Sequence, residues 1–210
     1  MEHHFIHHKT FRYRVLNDVQ HSTKILYVLH GYGQLVEHFI RKFSEVDEDY
    51  LIVAPEGMHR FYLNGTSGRV GASWMTKEAR EIDISDTMNY LDALDDHLTK
   101  TVEVEKKYLL GFSQGGATAA RWNQLGKTKF DGLILWASVF PPDLPPMAGK
   151  RSGNPHYFVI GDQDEFFSPA EQEQVISDYS SKNYKVKRYA GKHDIVNSTL
   201  TEILAELSRK

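Results

Sequence analysis

Cysteine is absent from the 210 residues of this chain. That excludes disulfides, thiol catalysis and cysteine metal sites. An excess of charge is absent too: 25 Lys and Arg stand against 28 Asp and Glu, a formal net charge of −3. With the signs mixed along the chain, there is no electrostatic basis for binding nucleic acid or an anionic membrane surface. No apolar run approaches the ~20 residues that a spanning helix needs, so stable membrane insertion is not expected. The start, Met1-Glu2-His3-His4-Phe5-Ile6-His7-His8, lacks the apolar core of a signal peptide. Together these absences make the cytoplasm the expected location, although a chain without cysteine also suits an oxidising compartment.

What is present suffices for a core: 40% hydrophobic and 12% aromatic residues. At this length one domain, residues 1–210, is the natural organisation. No internal repeat, low-complexity segment or linker interrupts it. Continuous apolar runs at 25–29, 51–55, 108–111, 133–137 and 157–161 fit strands covered on both faces. The segments 9–15 and 184–189 alternate in polarity and fit strands nearer a sheet edge, and Asn17-Asp18 marks a turn. Helical patterns lie between the runs. Ile84, Met88, Leu91, Leu94 and Leu98 recur at spacings of three and four. Further patterns cover 36–43, 113–125, 169–179 and 195–207. Alternating strands and helices predict an α/β fold with a mostly parallel central sheet and helices on both faces. The stretch Glu56–Trp74 is too long for a plain connection and carries four glycines, which marks it as a functional or mobile loop.

The sequence Gly111-Phe112-Ser113-Gln114-Gly115-Gly116 ends one apolar run and begins a helical pattern. A serine at a tight strand-to-helix turn needs small neighbours, which the glycines supply, and sits where the helix N-terminus favours developing negative charge. The five-residue Gly-x-Ser-x-Gly pattern alone is weak, since glycine turns after strands are common. Three further groups stand at strand ends, where open α/β sheets place ligands. His30-Gly31-Tyr32-Gly33 has the backbone freedom to aim N–H groups at a substrate oxygen. Tyr32 is the expected donor there, with Gly33 its competitor, and the N–H of Gln114 is the expected second donor. Gly161-Asp162-Gln163-Asp164-Glu165 offers three acids, Asp162, Asp164 and Glu165, to orient an imidazole. Gly191-Lys192-His193-Asp194 holds the last histidine of the chain. If the groups run in the order serine, acid, histidine, His193 is the base.

Taken together, His30-Gly31-Tyr32-Gly33, Ala54-Pro55-Glu56-Gly57, Ser73-Trp74, Gly111 to Gly116, Gly161-x-x-Asp164 and Gly191-Lys192-His193 resemble the α/β-hydrolase superfamily. More narrowly, they are similar to its phospholipase/carboxylesterase branch, which includes acyl-protein thioesterases. The resemblance covers nearly the whole chain. It implies an α/β-hydrolase fold with no cap domain, selects Asp164 as the acid, and implies no metal or organic cofactor. Two positions depart from the family pattern: Gln34 after the His-Gly-x-Gly, and Trp74-Met75-Thr76 near the site. Both are expected to affect substrate shape. Pro141, Pro142, Pro145 and Pro146 suggest a stiff loop where a cap would otherwise be inserted, hence an open site.

The expected activity is that of a serine carboxylesterase acting on small to medium acyl esters through Ser113, His193 and Asp164, with Tyr32 and Gln114 as oxyanion donors. Acyl-thioesterase and lysophospholipase activities are the near alternatives. A non-catalytic hydrolase-like binding protein is an alternative of another class. Phe61, Trp74, Met75 and Phe140 are expected substrate contacts, although each also suits plain loop packing. The expected partner is a small ester or thioester, and a homodimer stays open. The histidines at 3, 4, 7 and 8 fit an exposed chain start better than a metal site. The acidic run Asp92–Asp96 fits a solvated helix face.

Overall fold

The apolar runs become the strands of one seven-stranded sheet in a computed structural model, which describes residues 1–17, 22–100, 103–145 and 154–209. The strands are β1 (Tyr13–Leu16), β2 (Lys24–Leu29), β3 (Tyr50–Pro55), β6 (Lys106–Phe112), β7 (Gly132–Trp136), β8 (His156–Gly161) and β9 (Lys185–Tyr189). A separate hairpin is formed by β4 (His59–Tyr62) and β5 (Val70–Ser73). The sheet order is β1-β3-β2-β6-β7-β8-β9, and every pair is parallel except β1 with β3. The polar, alternating strands β1 and β9 do lie at the two edges.

Among the described residues five helices cover this sheet: α1 (Val36–Phe39, continued by a 3-10 turn at Ile40–Phe43), α2 (Arg80–Thr99), α3 (Gln114–Leu125), α4 (Pro169–Ser181) and α5 (Asn197–Ser208). Because strand side chains alternate between faces, Ile25, Tyr27 and Leu29 pack with α2, α3 and α4, while Leu26 and Val28 pack with α1 and α5. All five periodic residues of α2 (Ile84, Met88, Leu91, Leu94, Leu98) are buried. Ser168 begins α4 with a reciprocal capping box to Glu171, just ahead of Pro169.

The structure corrects three expectations. Glu56–Trp74 is not a bare loop, since most of it is the β4–β5 hairpin. The hairpin joins the 30–34 loop through the isolated bridge Gln34↔Ala72. Gly57 and Gly71 serve close packing, whereas Gly65 and Gly68 have open space around them and supply positive φ to the turn. The acidic run is not a solvated face either: Asp92 and Asp95 are buried. Asp92 accepts hydrogen bonds from Trp122 Nε1 (2.8 Å) and the Lys127 and Thr128 N–H groups, and Asp95 from Tyr27 Oη and Lys107 Nζ (both 2.7 Å). They tie α2 to the end of α3 and to β2 and β6. Finally, β1 begins at Tyr13, later than Lys9. Residues 137–145, the described part of the β7–β8 connection, contain no helix or strand. Asp143 ties them to α2 and α3, taking two hydrogen bonds from buried Arg121 (2.9 and 2.7 Å) and one from Arg80 (2.6 Å). Pro146 and Asp18 lie outside the described residues; Asn17 has the positive φ of a turn.

Candidate active site

Ser113 joins β6 to α3 with φ 53° and ψ −119°, a backbone region that side-chain-bearing residues rarely occupy. Such a residue costs about 1–3 kcal/mol and persists only where its surroundings over-determine it. Here they do. Its N–H donates to Trp136 O at 2.9 Å and its carbonyl accepts from Gly116 N–H at 2.9 Å. The neighbouring backbones leave no room for a Cβ at Gly111, which would meet Gly115 O at 2.3 Å, or at Gly115, which would meet Leu29 O at 2.3 Å. Gly31 passes so close that a Cβ on it would lie 3.2 Å from Ser113 Cβ.

All three candidate acids hold the Gly191–His193 loop, each at a different atom. Asp162 Oδ1 accepts the Gly191 N–H (2.9 Å) and Glu165 Oε2 accepts the His193 N–H (3.2 Å). Buried Asp164 meets the imidazole itself, with Oδ2 2.8 Å from His193 Nδ1. A carboxylate only accepts, so Nδ1 carries the proton and Nε2 keeps its lone pair. Tyr189 Oη, 2.7 Å from Lys192 O, and Trp136 Nε1, 2.9 Å from Asp194 O, brace the same loop. The imidazole packs against Phe112, the residue before Ser113, with ring centres 4.8 Å apart. Among the described residues no hydrogen bond joins Ser113 Oγ to His193 Nε2. The hydroxyl turns about one side-chain bond, and such contacts commonly tighten only with substrate bound.

On the other flank, the Gly33 N–H is already committed to Ala72 O (2.9 Å) and the Gly31 N–H to Gln34 Oε1 (2.9 Å). The Tyr32 N–H has no acceptor among the described residues, which separates it from its competitor Gly33. Gln114 opens α3, so its N–H also lacks an intrahelical partner. Gln34 therefore shapes the Gly31–Gly33 loop directly, a role not read from its departure from the family pattern. His30 anchors this loop from below. It is fully buried, donates Nδ1–H to Gly31 O (2.8 Å) and accepts the Gly57 N–H at Nε2 (2.9 Å). Burial lowers its pKa to about 4. Buried Glu56 receives Arg12 (3.0 and 2.6 Å), Arg60 (2.6 Å) and the Val36 N–H (3.2 Å). Burial alone would raise its pKa, but these hydrogen bonds outweigh that and hold it below the usual carboxylate range.

The four expected substrate contacts divide. Phe61 stacks obliquely on Tyr32 with ring centres 5.1 Å apart, and Met75 stands beside the Ser113 turn, the elbow between β6 and α3, its carbonyl 3.0 Å from Gln114 Nε2. Trp74 is fully buried and donates Nε1–H to His30 O at 2.8 Å, so it supports the loop from within and presents no face to a ligand. Phe140 packs on Tyr179 and Tyr184, which accounts for its ring without a substrate. The Gln114 side chain, unremarked in the sequence, latches the end of β5 to the elbow. Besides Met75 O it engages the Trp74 N–H through Oε1 at 3.2 Å.

A family model described as serine hydrolase (FSH1) matches residues 19–202 of the chain. No curated protein matches it. Among solved structures, a carboxylesterase from Mesorhizobium loti is 18% identical with a TM-score of 0.73, covering 93% of this chain and 94% of that one. A carboxylesterase from Bacillus cereus is 17% identical with a TM-score of 0.68, covering 95% and 94%. Acyl-protein thioesterase 2 from Zea mays is 16% identical with a TM-score of 0.66, covering 94% and 98%. At these identities the likeness establishes the fold, that of α/β-hydrolases.

Proposed function

The chain belongs to the FSH1 serine hydrolase family, and on that premise we propose that it is a carboxylesterase in which Ser113, His193 and Asp164 act as nucleophile, base and orienting acid. The observation that carries the reading is the Asp164–His193 contact of 2.8 Å beside a serine held at φ 53°. Ser113 Oγ attacks the ester carbonyl carbon as His193 Nε2 removes its proton. The oxygen that gains charge lies toward the N–H groups of Tyr32 and Gln114, donors worth roughly 3–4 kcal/mol each in comparable sites. Collapse breaks the bond to the alcohol oxygen, which takes the proton from His193. Water then repeats the cycle and frees the acid. Asp164 holds Nδ1–H throughout and stabilises the imidazolium. Met75 beside the Ser113 turn and Phe61 against Tyr32, both apolar, favour a small to medium acyl group.

The same groups would cleave an acyl thioester, and the maize structural neighbour is by name an acyl-protein thioesterase. Purified protein acting on butyryl ester and butyryl thioester of matched leaving-group size distinguishes the two. Ester hydrolysis is expected to dominate and to vanish in Ser113→Ala. Undiminished hydrolysis by that variant would refute the assignment.

A further inference from the structure

Two adjacent phenylalanines after Asp164 go opposite ways. Phe167 packs against the core, whereas Phe166 is 71% exposed. Leaving an aromatic ring in water forgoes its burial energy, and scattered single cases need no explanation. This one is not free to wander. The Phe166 N–H donates to Asp164 Oδ1 at 3.1 Å, the same carboxylate whose other oxygen holds His193. Its ring lies on the imidazole with centres 4.4 Å apart and planes inclined by 54°. A second exposed aromatic, Tyr32 at 60%, stands on the opposite side of Ser113. The two follow β8 and β2, which are separated by three inter-strand steps in the sheet order, about 14 Å at the usual spacing. An ester bound at Ser113 lies between them.

Which part of the ester meets which ring follows from the chemistry. In acylation the bond from carbonyl carbon to alcohol oxygen breaks as the bond to Ser113 Oγ forms. The proton taken from Ser113 returns from His193 Nε2 to that alcohol oxygen. The departing alcohol is therefore the portion next to His193, and Phe166 covers the imidazole. The geometry points to Phe166 as the specificity residue for the alcohol side, favouring esters of apolar or aromatic alcohols. This rests on the assignment of Ser113 and His193 above.

The test uses butyrate esters of methanol, hexanol and phenol with the wild type, Phe166→Ala and Phe166→Leu. In Phe166→Ala, kcat/KM for the hexyl and phenyl esters should fall about ten-fold relative to the methyl ester, with partial recovery in Phe166→Leu. Deacylation, read from the phase after the burst with p-nitrophenyl butyrate, should stay within about two-fold, because the alcohol has already left. Equal losses on all three esters together with slowed deacylation would overturn the inference, since they mark a ring that only supports His193. No change on any ester would overturn it as well. Both results differ from failure of the underlying assignment, in which Ser113→Ala hydrolyses the esters like the wild type.

Discussion

Two imidazoles sit in glycine-flanked loops at the same edge of the sheet, and their surroundings make them opposites. His30 is engaged at both nitrogens by backbone groups, has no contact with solvent and is held neutral. His193 is engaged at one nitrogen by the Asp164 carboxylate, and its other nitrogen has no hydrogen-bond partner among the described residues. A histidine locked at both ends can brace a loop but cannot carry a proton. One held at a single end by an acid can take and return it. The loop at 30–33 and the loop at 191–193 thus hold the same residue type in two different settings, rigid support in one and, in the proposed mechanism, proton transfer in the other, and the difference lies in what the second nitrogen meets.

The sharpest way to break this comparison is to remove His193, the proposed proton carrier. His193→Ala, like Ser113→Ala, is expected to lower kcat by about 10⁴-fold or more with folding intact by circular dichroism. Asp164→Asn comes next. It keeps the shape but lets the ring present the wrong tautomer, with an expected loss of roughly 10³–10⁴-fold in kcat; a loss under ten-fold would mean that another acid orients the ring. His30 should fail differently. As a base whose folded pKa lies near 4 against a reference of 6.5, it leaves the unfolded chain binding more protons between those values. Stability should therefore rise with pH across about 4 to 6.5, by up to about 3 kcal/mol. His30→Asn should remove most of that slope in urea titrations while retaining a measurable fraction of the activity. The smallest effect is expected at Gln34→Ala, which frees the Gly31 N–H beside Tyr32. A kcat loss of about three- to ten-fold with KM little changed would place Gln34 as a positioning residue for the oxyanion loop.

The sheet and helices were largely legible because buried parallel strands read as unbroken apolar runs and α2 carries an unambiguous apolar face. The elbow was legible because close backbone approach admits only glycine, and glycine is visible in a sequence. The hairpin at 59–73 was not, since its strands are only four residues long, paired with each other and bridged to the 30–34 loop at Gln34↔Ala72, and runs so short leave little pattern to read. Polar networks were the other blind spot. Nothing in the spacing of Asp162, Asp164 and Glu165 says that each grips a different atom of one loop, and Asp92 looks like any surface acid until Trp122 and Thr128 fold onto it. The aromatics misled for a related reason. Trp74 and Phe140 belong to segments expected near the site, but one donates to His30 O from the core and the other packs on Tyr179 and Tyr184, while exposed Phe166 lies in a segment whose acids give the stronger signal.

The measurement that bears most directly on the two-histidine account is mapping of a fluorophosphonate adduct by peptide mass spectrometry in the wild type, His193→Ala and His30→Asn. The account predicts a single adduct on the Ser113 peptide, lost in His193→Ala and retained at a reduced rate in His30→Asn. An adduct on another residue, or equal loss of labelling in the two histidine variants, would contradict it.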